Sequence, residues 1–254
     1  MKISIITITK NSARTIERTA RSVAFQKNVT IEHIIKDAGS TDKTIEIATY
    51  INPSIIIISK PDAGIYDAMN QGYLSSTGDI VAFLNSDDEY IDENVLYDVM
   101  KIFTKTNCDY VYGDITMVSL TGEVVRDWHT GLIDAKGLIG NQIPHPGIFI
   151  KRKILDQLEI PFDPSYRISA DLKQQLIIIN KLKCKGTYLN RSLVSMETGG
   201  ESTNSFLSYF NGWKESVRAY NEVFGSGGLF FVIKKVISKI NGLRVTAQIR
   251  NFGK

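Results

Sequence analysis

The chain has 254 residues, 43% of them apolar and 22% charged, with a formal net charge of +3. That balance excludes a long disordered polypeptide, and so small a charge gives no reason to expect a nucleic-acid partner. The length suits one large α/β domain, or one domain with an appendage.

Cys108 and Cys184 stand far apart without CxxC or CxxH spacing, so no metal–thiolate site is expected and a reducing cytosol fits best. The first residues read as a strand, with no basic segment ahead of an apolar core, so no signal peptide is read. No uncharged apolar run approaches the ~18 to 20 residues that a membrane-spanning helix needs. The expected location is cytoplasmic.

In chain order, Met1 to Thr9 predicts a strand. Asn11 or Ser12 is placed to cap a helix from Ala13 to Gln26, where apolar residues fall at helical spacing. Thr30 to Lys36 predicts a second strand, Asp42 or Ser40 a cap for a helix over Lys43 to Ile51, and Ser54 to Ser59 a third strand. Short connections between alternating strands and helices imply a parallel sheet with right-handed crossovers. Pro61 to Ser76 starts as a turn and becomes a helix, Ile80 to Leu84 is a strand buried on both faces, and Asp92 to Thr104 is a helix.

Strand five is expected at Asp109 to Tyr112. Beyond Gly113 the rhythm changes, and Ile115 to Ser119 with Glu123 to Asp127 flank Leu-Thr-Gly as a hairpin. A loop containing Pro-His145-Pro-Gly leads into a strand, followed by helices from Ile154 and over Ala170 to Leu182, and a strand over Thr187 to Val194. Helices over Ser205 to Val223 and Leu229 to Arg250 are separated by Gly225-Ser-Gly-Gly228. The expected division is a domain over 1–204 and a helical extension over 205–254.

Ligands of open α/β sheets sit beyond the carboxyl ends of the strands. Thr9 and Asn11, Asp37, Pro61 and Asp62, and Asn85 to Asp88 follow the first four strands and so face one crevice. Adjacent carboxylates at a stiff strand end suggest a divalent cation held by hard oxygen ligands, and a metal-bridged nucleotide diphosphate reconciles acidic residues with a phosphate ligand. Neither Gly-x-Gly-x-x-Gly after the first strand nor Gly-x-x-x-x-Gly-Lys-Ser/Thr is present, which removes dinucleotide dehydrogenases and P-loop enzymes.

Four stretches in order, Ser4-Ile-Ile-Thr-Ile-Thr-Lys-Asn11, Asp37-Ala-Gly-Ser-Thr-Asp42, Pro61 to Gly72 and Gly78 to Asp88, resemble family 2 glycosyltransferases of the GT-A fold. They are most similar to bacterial enzymes that build capsule, O-antigen or exopolysaccharide repeat units. The resemblance covers about residues 2 to 202. It implies an α/β GT-A architecture, Rossmann-like with a mostly parallel central sheet and a smaller antiparallel part, followed by C-terminal helices.

The same resemblance implies that Asp37 contacts the nucleotide base with Thr9, Asn11 and Asp62 lining the pocket, and that Asn85 and Ser86 lie at the ribose and metal motif. Asp87 is the implied metal ligand, helped by Asp88, for Mn²⁺ or Mg²⁺; Asn85 stands where the family motif starts with Asp. Asp171 in Ser169-Ala170-Asp171 is the implied catalytic base, His145 borders the donor and acceptor sites, and Gly199-Gly-Glu-Ser202 resembles a lid. The implied partners are a nucleotide-sugar donor, with UDP favoured, and a glycan or lipid-linked acceptor. His33 and His129 are expected to be structural, and core packing explains Tyr66 and Met69 as well as a crevice role would.

From Leu229 apolar residues at 229, 232, 233, 236, 237, 240 and 243 form a helical stripe flanked by Lys234, Lys235 and Lys239, with no acid from Gly225 onward. Such a helix suits an anionic membrane surface at the inner face of the plasma membrane, and equally a docked helix with solvated lysines. Two other functions compete with sugar transfer: a sugar-phosphate nucleotidyltransferase, which should carry a Gly-rich, Arg-containing loop after strand one, and a catalytically silent nucleotide-sugar binding module.

Overall fold

The computed structural model describes residues 1–198 and 206–237. Strands and helices alternate at the start: β1 (Lys2–Thr9), α1 (Ile16–Ala24), β2 (Thr30–Asp37), α2 (Thr44–Ile51), β3 (Ile56–Ser59), α3 (Ile65–Leu74) and β4 (Ile80–Phe83). β1 pairs in parallel with β2 and β4, and β2 in parallel with β3, giving the spatial order β3-β2-β1-β4. All four carboxyl ends therefore lie on one edge. β1 and β4 are runs of Ile, Val, Ala and Phe because both sheet faces are covered, and Ile3, Ile5, Ile6, Ile80 and Ala82 are wholly buried.

The second half comprises β5 (Asp88–Tyr90), α4 (Val95–Lys105), β6 (Tyr110–Val118), β7 (Val124–Trp128), β8 (Ile148–Lys151), α5 (Arg152–Leu155), α6 (Ala170–Gln175), β9 (Gly186–Glu197) and α7 (Phe206–Phe224). β8 inserts antiparallel between β4 and β6, β9 pairs in parallel with β6, and β7 forms the expected hairpin with β6. The result is a mixed, mostly parallel sheet flanked by helices, with the order β3-β2-β1-β4-β8-β6-β9-β5.

Several local expectations are corrected. α1 begins at Ile16, and neither the Asn11 nor the Ser12 side chain caps it; the Ser12 carbonyl instead accepts the N–H groups of Thr15 and Ile16, each at 2.9 Å. β5 was not foreseen, because three residues carry no periodic signal; it exists through antiparallel pairing with the distant β9. Gly113 does not interrupt β6. A Cβ there would stand 2.6 Å from Leu193, so this glycine serves the close approach of β9. The helix expected over 170–182 is α-helical only to Gln175 and continues as a π-helical turn, Leu176–Lys181.

The Gly225–Gly228 break is a turn with Gly225 and Gly227 at φ +87° and +97°, after which residues 228–237 are helical. Ala219 of α7 and Phe231 and Val232 of this last helix share one apolar cluster with Tyr66, Phe83, Phe162 and Leu172. The sequence stripe is thus divided between two faces. Val232 and Val236 turn inward, while Leu229, Ile233 and Ile237 remain exposed together with Phe230. Lys239, Ile240, Leu243, Arg244, Arg250 and Lys254, and the lid-like Gly199 to Ser202, lie outside the described residues.

Candidate active site

A cavity of about 240 Å³ opens at the carboxyl edge of β1 and β4, lined by Asn11, Ser12, Arg14, Thr15, Ser86 and Asp87. Its walls are turns tied to one another. Asn11 takes a left-handed backbone (φ +49°), which lets its N–H donate to Ser40 Oγ at 2.8 Å while its Oδ1 accepts the Thr41 N–H at 2.9 Å. The Ser12 N–H donates to Thr44 Oγ1 at 2.7 Å, and Ser86 Oγ donates to Ser12 Oγ at 2.9 Å. The loops after β1, β2 and β4 therefore form one braced rim.

Asp37 sits beside this rim, 1% exposed. Its carboxylate accepts from the N–H groups of Gly39 and Ser40 and from the Ser40 and Ser59 hydroxyls. Burial works against its charge, and the donors of Ser40, Ser59 and Gly39 outweigh it, holding the carboxyl below its usual range. Asp62 is engaged in another way. Its Oδ2 lies 2.8 Å from Nζ of Lys36, a wholly buried lysine that also donates to the carbonyls of Asp37 (3.1 Å) and Lys60 (2.7 Å). Nothing in the β2 pattern distinguishes Lys36 from a solvated lysine, so sequence reasoning missed it.

Asp87 lines the cavity and Asp88 lies behind it, 1% exposed at the start of β5. Burial pushes the Asp87 carboxyl up, and Glu197 opposes its ionisation further; burial pushes the Asp88 carboxyl well up, with Asp87 adding repulsion. Arg18 donates to the Asp87 carbonyl at 2.7 Å and pairs with Glu197 at 2.6 Å, and Arg14 pairs with the same Glu197. These two arginines and Glu197 were also missed, since β9 meets α1 only through the fold.

Among the described residues, no group of three His, Cys, Asp or Glu side chains could hold a metal ion. Asp87, with the buried, partnerless Oδ1 of Asp88 behind it, nevertheless offers hard oxygen atoms of the kind a divalent cation takes. Thr9 Oγ1, Asn85 Oδ1 and both ring nitrogens of His145 are likewise buried without a hydrogen-bond partner among the described residues. Folded proteins leave few such groups, and each of these atoms is free to take a hydrogen bond from a polar ligand or from water.

Asp171 opens α6. Its Oδ1 accepts from the Tyr66 hydroxyl at 3.4 Å and its Oδ2 from Gln142 Nε2 at 2.6 Å. Burial, then the Asp171 charge, raise the Tyr66 hydroxyl well above its usual value, which keeps it a donor. His145 packs its ring against Phe83 and Phe162, 5.3 and 5.4 Å between centroids; burial pushes it toward the neutral form, partly offset by Asp171. Phe83 ends β4, so His145 and Asp171 stand at the same sheet edge as the cavity. Asn70, from the same family-like run as Tyr66, is structural: its amide exchanges two hydrogen bonds with the Phe162 backbone. His33, buried with Nε2 3.0 Å from Thr7 Oγ1, and His129, whose Nδ1 is 3.0 Å from Asp114, take no part in this site. A larger hollow of about 700 Å³, lined by Cys108, Tyr110, Cys184 and Gly186 among others, lies at the amino ends of β6 and β9, away from all these residues.

The family model described as glycosyl transferase family 2 matches residues 4–165. A PGL/p-HBAD biosynthesis glycosyltransferase of Mycobacterium tuberculosis is 32% identical over 173 residues; the match covers 66% of this chain and 66% of that protein, so just under two thirds of the relative's length is spanned. A second glycosyltransferase of that organism, itself uncharacterised, is 31% identical over 205 residues, 78% of this chain and 76% of the relative. Among solved structures, S. aureus TarS 1-349 in complex with UDP-GlcNAc superposes with a TM-score of 0.68 at 17% identity, over 93% of this chain and 72% of that one. A mannosyltransferase from Pyrobaculum calidifontis in complex with GDP-Man and Mn²⁺ gives 0.63 at 12% identity, over 98% and 79%. These likenesses match the mixed sheet to the GT-A fold. From the family match over residues 4–165 and the relatives that extend past it, the chain belongs to glycosyl transferase family 2.

Proposed function

We propose that the chain moves a sugar from a nucleotide diphosphate, UDP in the first instance, to a hydroxyl of a glycan or lipid-linked acceptor in cell-surface polysaccharide synthesis, with inversion at the anomeric carbon. The observation that carries this reading is the set of buried, partnerless polar atoms on Thr9, Asn85, Asp88 and His145, at one sheet edge with a cavity and a hydrogen-bonded carboxylate. The structural neighbours crystallised with UDP-GlcNAc and with GDP-Man and Mn²⁺ support a nucleotide-sugar donor and a divalent cation.

Asn11, Ser12 and Ser86 present backbone and hydroxyl groups to the ribose and diphosphate, and the Arg14 guanidinium on the cavity wall supplies positive charge. Asp37 shapes the turn beneath the base and reaches it by exchanging its Ser40 or Ser59 bond, while Asp62 anchors the adjoining loop through Lys36. Asp87, backed by Asp88, holds Mn²⁺ or Mg²⁺, which when bound neutralises charge on the departing diphosphate. Asp171 takes the acceptor O–H proton as that oxygen bonds to the anomeric carbon, and the carbon–diphosphate bond breaks with its electron pair leaving on the diphosphate. A single displacement of this kind inverts the centre. His145, neutral and partnerless, donates to or accepts from a sugar hydroxyl.

The exposed row Leu229, Phe230, Ile233 and Ile237, with Lys234 4.4 Å from the Phe230 ring, supports a peripheral seat on an anionic membrane from the cytoplasmic side, where a lipid-linked acceptor resides. No helix among the described residues is long and apolar enough to cross a membrane.

Thermal stabilisation by UDP, GDP, CMP and dTDP with and without Mn²⁺ identifies the donor base. UDP release from a panel of UDP-sugars should then fall by about a thousandfold in Asp171→Asn while UDP stabilisation persists. Unchanged turnover in that variant would remove the base, and no stabilisation by any nucleotide would remove the donor site. Flotation of Leu229→Ser/Ile233→Ser equal to that of the native chain on anionic vesicles would end the membrane reading.

A further inference from the structure

Gln142 and Lys235 connect the last helix to the carboxylate of Asp171. Gln142 Nε2 donates to Asp171 Oδ2 at 2.6 Å, and Gln142 Oε1 accepts from Lys235 Nζ at 2.8 Å. One amide is held at both ends, so its orientation is fixed: the nitrogen must face the carboxylate, because only the oxygen can accept from an ammonium. Lys235 lies in the helix over residues 228–237, which Gly140 admits at close range. A Cβ on Gly140 would stand 2.7 Å from the Lys235 backbone nitrogen, and Gly140 itself turns at φ +77°. Phe231 and Val232 anchor the same helix in the main apolar cluster. The loop that carries Gln142 is further pinned by Gln175, whose amide exchanges hydrogen bonds with the backbone of Ile143 at 2.9 and 3.0 Å.

From this relay, and resting on the reading of Asp171 as the base, we infer that Gln142 and Lys235 are positioning residues for catalysis: the C-terminal helix completes the active site. The amide aims Asp171 Oδ2 by donating to it, and the lysine cation polarises the amide toward that end. The opposite oxygen, Oδ1, accepts among the described residues the long 3.4 Å bond from Tyr66 and is the oxygen placed to receive a proton. Among the described residues, the groups that face this carboxylate are the Tyr66 hydroxyl from α3, the His145 ring from the loop before β8, and Lys235 through Gln142. Glu215 of α7 lies close by, accepting the N–H groups of Ile168 and Ser169 at 2.8 and 2.9 Å just ahead of α6.

The test is a ¹³C-carboxyl NMR titration of the full chain, with the Asp171 resonance identified by its loss in Asp171→Asn. Gln142→Ala should move that titration to higher pH by about one unit, Lys235→Met by about half as much in the same direction, and Lys235→Arg should restore it. UDP-GlcNAc as the probe donor supplies the second measurement, in which slow UDP release to water should show its acid limb moved by the same amounts. Circular dichroism and UDP-induced thermal stabilisation report whether each variant is folded, and Gln142→Met, of similar volume and uncharged, replaces the alanine variant if that one is not. An unmoved Asp171 titration in folded Gln142→Ala and Lys235→Met overturns the relay. Turnover retained in Asp171→Asn removes the base assignment instead, so the two failures are told apart.

Discussion

The proposed donor side and the proposed acceptor side of this site are built in opposite ways. On the donor side the rim is made of loops a few residues from their strands, and the Asp37 carboxylate is held by its neighbours Gly39 and Ser40 together with Ser59 of the adjacent strand. On the acceptor side Asp171 is held by Tyr66 and Gln142, and Gln142 by Lys235, across separations of 105, 29 and 93 residues. The rim is braced by hydrogen bonds between the loops after β1, β2 and β4. A carboxylate assembled from four distant segments depends on the whole fold, including its last helix.

Loss of a buried charge partner beneath the donor rim should register as stability, and loss of a ligand-facing group as binding or turnover. The largest effect is expected for Lys36→Met, which leaves the Asp62 carboxylate facing an apolar neighbour in a nearly closed pocket; urea unfolding should show a loss of about 3–5 kcal/mol, relieved in part by adding Asp62→Asn. Asp87→Asn should keep the fold but weaken UDP binding in the presence of Mn²⁺ about tenfold or more, read by calorimetry. A Mn²⁺ effect that survives this change would move the cation elsewhere.

A smaller effect belongs to Glu32, which ties Lys2, Ser4 and Thr77 together beneath the start of β4. Burial disfavours its charge, but the bonds from Lys2, Ser4 and Thr77 prevail and hold its carboxyl at about 2. Its folded value lies below its unfolded one, so its stabilisation is complete above the ordinary value near 4.5 and is lost as pH falls toward 2. The stability gap between the native chain and Glu32→Gln should therefore shrink over that window, and a gap independent of pH would contradict it. The smallest change is expected for Tyr66→Phe: a long hydrogen bond to Asp171 goes, turnover falls by a few fold, and the melting temperature moves little. A large melting shift there would place Tyr66 with the braced rim.

The alternation of Ile-rich strands with amphipathic helices, together with the short turns after β1, β2 and β4, was sufficient to read the parallel half and the positions of Asn11, Ser86 and Asp87. Periodicity and turn chemistry are local properties, and a loop next to a buried strand has few places to go. What lay beyond reach was set by pairing between distant segments. β5 exists because β9 accepts it, Gly113 stays in a strand because Leu193 approaches it, and Lys36 is buried because Asp62 folds back over it. Asp171 could be picked from the sequence by resemblance, but its Gln142–Lys235 support could not, since no spacing rule joins a loop glutamine to a lysine 93 residues on. Short-range sterics and hydrophobic pattern determined the scaffold, whereas the charges that prepare its chemistry were matched only when burial made unpaired ones too unfavourable to keep.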